Sequence, residues 1–96
     1  MKVAVIVPVL NEETVLRLTL ESLRNQTYKD FDLIVKDGLS SDRTVELASR
    51  YTGMIISERD GSPGEARNQA VKHVGKDYSV LVFLDADTIL ASDALE

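Results

Sequence analysis

The sequence predicts an α/β fold with a mostly parallel sheet. Apolar runs of strand length alternate along the 96 residues with segments of helical periodicity, which is the order typical of βαβ units. The first run, Val3-Ala4-Val5-Ile6-Val7, is continuous and rich in β-branched residues, as expected of a strand buried on both faces. With 44% apolar residues, the chain is long enough for one compact domain with a single core.

The first strand–helix unit occupies the N-terminal quarter of the chain. Pro8 stops the predicted strand, and Asn11 is the expected N-cap of the following helix. Glu12 and Glu13 fall in the first turn, where acidic residues are favoured by the helix dipole. An apolar stripe at i, i+4 and i+7 then continues to about Asn25: Leu16, Leu20 and Leu23.

The second unit begins with a predicted strand over residues 31–35 and a turn-rich loop over residues 37–42. Asp42 is the expected N-cap of a helix that contains three apolar positions, Val45, Ala48 and Tyr51. A short third strand is predicted over residues 54–56.

The third helix has a distinct start signal. Ser62-Pro63-Gly64-Glu65 has the S-x-x-E spacing of a capping box, with proline at the first helical position, and the helix should end near Gly75. The fourth strand is predicted over residues 79–84 as a buried strand. Residues 92–96 resemble the opening of another helix, so we expect a single domain over residues 1–96 that is truncated at its C-terminal end.

Composition excludes several classes of function. Eleven Lys and Arg against 16 Asp and Glu give a net charge of −5, which provides no basic footprint for nucleic acid or anionic lipid. No cysteine is present, which excludes disulfides and thiolate metal sites. The sequence contains neither a membrane-span pattern nor a signal peptide, so a cytoplasmic location is expected. Membrane association would depend on residues of a longer parent chain. His73, the only histidine, is expected at the surface.

An acidic pair follows the fourth strand. Asp85 and Asp87 lie one residue apart at its carboxyl end, where open α/β sheets bind ligands. Ionised carboxylates at this place favour a divalent cation, which leaves coordination sites for phosphate oxygens. Alternatively, either aspartate simply caps the following turn.

Polar residues also follow the first and second strands. In a parallel sheet these carboxyl ends meet the end of the fourth strand at one edge. Each residue has a structural explanation on its own, as a cap or a turn residue, but that explanation does not predict three acidic loops at one cleft. The residues are Pro8, Asn11 and Glu12 after the first strand, and Asp37, Ser40, Ser41 and Asp42 after the second.

Four motifs occur in order along the chain: Val7-Pro8-Val9-Leu10-Asn11-Glu12, Asp37-Gly38-Leu39-Ser40-Ser41-Asp42-Arg43-Thr44, Gly64-Glu65-Ala66-Arg67-Asn68 and Phe83-Leu84-Asp85-Ala86-Asp87. Together they resemble the signature of glycosyltransferase family 2. The resemblance covers essentially the whole chain. It implies the nucleotide-binding half of a GT-A fold, a Rossmann-like three-layer α/β/α arrangement with strand order 3-2-1-4. It also implies an inverting transferase that uses a nucleotide-diphosphate sugar.

The resemblance assigns roles to residues at the sheet edge. Pro8, Asn11 and Glu12 would line the nucleotide pocket, and Asp37 would contact the base or ribose. Arg67 would approach the nucleotide or its diphosphate, although it could equally pair with Glu65 or Asp60. For the acidic pair, Asp87 would be the more direct ligand of Mn²⁺ or Mg²⁺, and Asp85 would lie nearer the ribose.

The sequence departs from the family pattern at two positions and lacks one group. Asp37 is followed by Gly38 where many members have a second acid, and Arg43 replaces a frequent glycine. The general base and the acceptor-binding half would lie beyond residue 96. The interpretation is therefore the donor half of a metal-dependent glycosyltransferase that uses a UDP- or GDP-sugar and an acceptor hydroxyl or lipid phosphate. The alternatives are a non-catalytic nucleotide-binding module and a sugar nucleotidyltransferase, although the latter normally needs a glycine-rich, basic loop after the first strand.

Overall fold

The computed structural model describes residues 2–61 and 64–95. Strands and helices alternate through the described residues, which confirms the α/β prediction. In chain order the elements are β1 (Val3–Val9), α1 (Leu16–Arg24), β2 (Asp32–Asp37), α2 (Thr44–Ala48), β3 (Ile55–Ser57), α3 (Glu65–Val74) and β4 (Val80–Phe83).

The four strands form one parallel sheet in the order β3-β2-β1-β4, as the family resemblance implied. Strand β1 is central, and its Val5 is in register with Leu33 of β2 and Val82 of β4. Strand β3 extends the sheet beyond β2, with Val35 opposite Ile55. All four carboxyl ends therefore lie at the same edge.

Two apolar cores lie on opposite faces of the sheet, so the molecule has three layers. On one face Val5, Val7 and Val35 pack with α1 and α2. On the other face Ile6 and Ile34 pack with α3 through Ala70. Because side chains alternate along a strand, neighbouring residues of β1 and β2 face different helices.

Helix α1 forms because its apolar residues recur on one side. Leu16, Leu20 and Leu23 are buried against the sheet, while Leu18 on the other side is 53% exposed. Burial of each of the three leucines contributes about 2 kcal/mol of transfer free energy. The helix ends at Arg24 with Asn25 as its C-cap, close to the predicted end.

The predicted start of α1 was wrong. The helix begins at Leu16, Val15 occupies the N-cap position without a side-chain hydrogen bond, and the first turn contains no acidic residue. Asn11 does not cap the helix, because its side chain bonds to the loop after β2. The carbonyl of Glu12 accepts hydrogen bonds from the Val15 and Leu16 amides, so a turn precedes the helix.

Helix α2 is shorter than predicted. It covers Thr44–Ala48 with Arg43 at the N-cap position, and Tyr51 lies beyond its end. Asp42 is not the N-cap, but its Oδ1 still accepts a hydrogen bond from the Thr44 amide at 2.9 Å.

The strand boundaries also differ from the predicted ones. Strand β1 continues through Pro8 to Val9, and β2 extends two residues further than expected, to Asp37. Strand β3 begins and ends one residue later than predicted. Strand β4 is half-buried rather than buried, because β1 is its only neighbour in the described sheet.

Two predicted helix starts have different outcomes. The capping box depends on Ser62 and Pro63, which lie outside the described residues; α3 itself begins at Glu65, after Gly64 with φ 88°. Residues 92–95 form turns rather than the opening of a helix, and residue 96 is not described. No helix in the described part of the chain has the length and apolarity needed to cross a membrane.

Candidate functional site

The loops that follow β1, β2 and β4 lie at the carboxyl edge of the sheet. Strand β1 separates β2 from β4, so the loop after β1 lies between the other two. The predicted polar residues are therefore brought to one edge, as the parallel topology required.

Asn11 joins the first two loops directly. Its side-chain Oδ1 accepts hydrogen bonds from the backbone amides of Ser41 at 2.8 Å and Asp42 at 3.4 Å. The backbone amide of Asn11 donates to Ser40 Oγ at 2.9 Å. The backbone of Asn11 has φ 54°, a left-handed conformation that asparagine tolerates better than most residues. Asn11 thus holds the two loops together.

A second set of hydrogen bonds links the same loops at Glu12, the residue after Asn11. The Glu12 amide donates to Thr44 Oγ1 at 2.8 Å, and Thr44 Oγ1 donates to the Asp42 carboxylate. The hydrogen bond from the Thr44 side chain holds the pKa of Asp42 below its usual range, although partial burial opposes that shift. Asp42 therefore stays ionised and anchors the start of α2.

Asp37 is the last residue of β2, and only 2% of its surface is exposed. Its Oδ1 accepts hydrogen bonds from the Ser40 amide at 3.1 Å and from Ser40 Oγ at 2.6 Å. Its Oδ2 makes no hydrogen bond with the described residues. One oxygen thus orders the loop, and the other remains available to a ligand.

The acidic pair after β4 is anchored through its middle residue. Ala86 is 6% exposed, and its carbonyl accepts a hydrogen bond from Thr19 Oγ1 of α1 at 2.7 Å. The backbone carbonyl of Asp85 accepts a hydrogen bond from the Thr88 amide at 3.0 Å, which forms a tight turn. Asp85 and Asp87 are both exposed. The segment is fixed at its centre, with its two carboxylates at the surface.

The donor set at this pair fits a hard cation that shares its ligands with a phosphate group. Carboxylate oxygens suit Mg²⁺ or Mn²⁺, and Mg²⁺ is commonly held by one or two carboxylates together with substrate phosphates. In residues 2–61 and 64–95, no three His, Cys, Asp or Glu side chains cluster as a metal site. A cation here would thus need ligands beyond Asp85 and Asp87, as a bound diphosphate would provide.

Arg67 lies in the first turn of α3, beside the end of β4. Its guanidinium is 5.4 Å from the centre of the Phe83 ring, two residues before Asp85. Within the described ranges it forms no ion pair, so the alternative pairing with Glu65 or Asp60 is not observed; Asp60 pairs with Lys36 instead. Arg67 remains exposed and can reach an anionic ligand.

Pro8 and Lys36 are opposite each other in the β1–β2 register. Lys36 is buried and contacts Asp60, and neither residue of this ion pair was among the predicted site residues. The signal for Lys36 was a charged residue directly after the apolar run of residues 33–35. The predicted strand ended at residue 35, which placed Lys36 outside it.

Cavity size alone would favour a ligand site at a different place from the carboxyl edge. A cavity of about 510 Å³ lies at the opposite, amino edge of the sheet, near Phe31, Asp32 and Tyr51. It contains none of the predicted site residues. The hydrogen-bonded loops and paired carboxylates support the carboxyl edge as the functional site, because strand polarity and side-chain chemistry agree there.

Residues 4–96 match the family described as Glycosyl transferase family 2. The chain belongs to this family. A family relative, the poly(ribitol-phosphate) beta-glucosyltransferase of Bacillus spizizenii, is 33% identical over 104 residues. That match covers 99% of this chain but only 16% of the relative.

Solved structures show the same fold. Staphylococcus aureus TarS 1-349, crystallised in complex with UDP, superposes with a TM-score of 0.86 at 29% identity, covering 99% of this chain and 30% of TarS 1-349. The mannosyltransferase PcManGT of Pyrobaculum calidifontis, in complex with GDP-Man and Mn²⁺, gives a TM-score of 0.82 at 26% identity over 94% of this chain and 29% of that one. This chain thus spans less than a third of the length of these proteins, and its described residues have the Rossmann-like architecture of GT-A glycosyltransferases.

Proposed function

We propose that this chain is the donor-binding half of a metal-dependent, inverting glycosyltransferase. The donor would be a nucleotide-diphosphate sugar with uracil or guanine as its base, and the acceptor a hydroxyl or lipid phosphate. The observation that supports this most directly is the anchored Asp85-Ala86-Asp87 segment, whose two exposed carboxylates lie at the ligand-binding edge of a family 2 fold. A cytoplasmic location remains a prediction.

Each residue at the edge has a role in this proposal. Pro8, Asn11 and Glu12 line the nucleotide pocket, and the free Oδ2 of Asp37 accepts a hydrogen bond from the base or ribose. Arg67 adds charge-assisted hydrogen bonds to the diphosphate, which are stronger than those between neutral groups.

Asp87 would hold Mn²⁺ or Mg²⁺ directly, and Asp85 would lie nearer the ribose. A bound cation neutralises the charge that develops on the departing diphosphate. Displacement at the anomeric carbon inverts its configuration when the acceptor attacks opposite the leaving group. The general base that takes the acceptor proton is expected outside this chain.

The proposal predicts that Asp87→Ala abolishes metal-dependent nucleotide binding. Calorimetric titration of the chain with UDP and with GDP, each with and without Mn²⁺, measures this. The matched control is Asp93→Ala, which makes the same charge change in an exposed turn near the C-terminal end of α1. Unchanged affinity in Asp87→Ala would show that the acidic pair does not bind the metal.

The alternative is a nucleotide-binding module without turnover. The short span of the chain relative to its family favours this alternative for the 96 residues in isolation. Release of UDP or GDP from a nucleotide sugar in the presence of acceptor would distinguish the two. Binding without release supports the module, whereas acceptor-dependent release supports the transferase.

A further inference from the structure

Lys36 is the only buried lysine or arginine in the described residues, and its side chain is fully buried. It lies on the α3 face of β2, next to Ile34 on that face. Removing an ammonium from water is costly, and a well-packed apolar residue is often as stable or more stable at such a position. A structural role alone therefore explains this lysine poorly.

The hydrogen bonds of Lys36 fix the loop that follows β3. Its Nζ donates to Asp60 Oδ1 at 2.8 Å, to the Glu58 carbonyl at 2.7 Å and, more weakly, to the Asp37 carbonyl at 3.4 Å. These three acceptors match the three hydrogens of an ammonium group. From α3, Gln69 also bonds to this loop, with its Nε2 2.9 Å from the Arg59 carbonyl.

The second oxygen of Asp60 is held at the carboxyl edge of the sheet. A Cβ at Gly38 would lie 2.4 Å from Asp60 Oδ2, so the carboxylate packs directly on the bare Cα of Gly38. Gly38 follows Asp37 in the loop after β2. The Asp60 side chain is 28% exposed, and its Oδ2 makes no hydrogen bond with the described residues.

We propose that Lys36 is a positioning residue for the donor: its ammonium holds Asp60 so that Oδ2 accepts a hydrogen bond from the nucleoside. This inference rests on the proposed function. The partner group is an O–H or N–H, which is either a ribose hydroxyl or a base N–H. Because Lys36 neutralises Asp60, this acceptor adds little repulsion against the diphosphate.

The decisive variant is Asp60→Asn. Its Oδ1 can still accept the hydrogen bond from Lys36, while an NH₂ group replaces Oδ2 and turns the acceptor into a donor. Calorimetry with Mn²⁺ should show about a tenfold loss of UDP or GDP affinity, whichever nucleotide the wild type binds. Affinity for inorganic diphosphate should be unchanged, whereas a loosened fold would weaken both ligands.

Lys36→Met removes the ammonium and keeps a long apolar side chain. It should cause a similar loss of nucleotide affinity, and the double variant Lys36→Met/Asp60→Asn should lose no more than either single variant. This non-additivity distinguishes positioning through Asp60 from an independent effect. Amide NMR spectra establish that the variants are folded, and Asp60→Asn tests the proposal even if Lys36→Met does not fold.

Gly38→Ala displaces Asp60 without changing any charge. It should weaken nucleotide binding in the wild-type background and add nothing to Asp60→Asn. The matched control is Gly53→Ala, because a Cβ at Gly53 meets no atom within 4 Å.

Nucleotides lacking the 2′ or 3′ hydroxyl identify the group that Asp60 contacts. If Asp60 contacts a ribose hydroxyl, wild type and Asp60→Asn should bind the nucleotide that lacks that hydroxyl with equal affinity. If Asp60 contacts the base, the difference in affinity between the two proteins should persist with both deoxynucleotides.

Nucleotide affinity that is equal in Asp60→Asn and the wild type would overturn this inference and leave the proposed function intact. Equal losses for nucleotide and inorganic diphosphate would also overturn it. A wild-type chain that binds neither UDP nor GDP would overturn the proposed function, and this inference with it.

Discussion

Asp37 shows how one carboxylate can serve both folding and binding. Its Oδ1 orders the loop after β2 through two hydrogen bonds from Ser40, while Oδ2 stays free of the described residues. Asp37 is 2% exposed, so an oxygen of this carboxylate that bonds to none of the described residues favours a hydrogen-bond donor from a ligand or from water. The ligand is therefore expected to bring a hydrogen-bond donor to this position.

Asp37→Asn should lower UDP or GDP affinity about tenfold, because the amide removes one charge and one acceptor. The dependence on Mn²⁺ and the affinity for inorganic diphosphate should stay as in the wild type. Calorimetry with both ligands measures this, and Asp30→Asn, at an exposed position before β2, is the control for charge. An equal loss for inorganic diphosphate would argue against a base or ribose contact.

Residue roles could be predicted where short motifs carry them. The positions of Asn11, Asp37 and Asp85 at one sheet edge followed from strand polarity. The ion pair of Lys36 with Asp60 could not be predicted, because its partners are separated by 24 residues and meet only after β2 and β3 pair.

At the scale of elements, α1 is the main apolar support of the site. Its three buried leucines pack on the sheet, and its Thr19 hydroxyl holds the Ala86 carbonyl. The same helix therefore contributes to the core and fixes the acidic pair. Losing its packing should loosen both.

Leu20→Ala should reduce the free energy of unfolding by about 3 kcal/mol, since it removes a buried side chain and leaves a cavity. The control is Leu18→Ala in the same helix. Because Leu18 is exposed, this substitution should change the free energy of unfolding by no more than about 0.5 kcal/mol. Urea titration followed by circular dichroism compares the two. Equal effects would contradict the observed orientation of α1.

The periodicity of α1 predicted its buried side correctly but not its start. Asn11 has the chemistry of a cap, yet the loop after β2 competes for its side chain. Likewise, the apolar sequence of β4 predicted a buried strand, but burial depends on how many neighbours a strand has. These outcomes depend on tertiary contacts that local patterns do not contain.

At the scale of the whole molecule, different hydrogen bonds stabilise the two opposite edges of the sheet. Side chains of several loops interlock at the carboxyl edge. At the amino edge, Tyr78 before β4 donates a hydrogen bond to Asp32 Oδ2 of β2 at 2.7 Å, which connects the two strands on either side of β1. This hydrogen bond to Asp32 raises the pKa of Tyr78 to about 12.

The raised pKa of Tyr78 predicts a loss of stability in alkali. The hydrogen bond from Tyr78 contributes fully to the free energy of unfolding below pH 10, the usual pKa of the unfolded side chain. This contribution disappears as the pH rises through about 12. Tyr78→Phe should therefore be less stable than wild type by about 1 kcal/mol at neutral pH. This difference should vanish above pH 12 in urea titrations. Tyr28→Phe, which removes the same hydroxyl at a different place in the chain, is the control for the substitution.

The strand order could be predicted because parallel connections and the family resemblance leave few alternatives. The way in which the edges are fastened could not, since it depends on single side chains that meet across the sheet.

The hydrogen bonds of Asn11 also bear on how this domain can diverge. Because one side chain satisfies amides in the loop after β2, an insertion in either loop would separate partners that must meet at hydrogen-bond distance. The two loops are therefore expected to change length together. A Cβ at Gly53 meets no atom within 4 Å, so side-chain variation in that turn at the amino edge should be tolerated more readily than changes in the two linked loops.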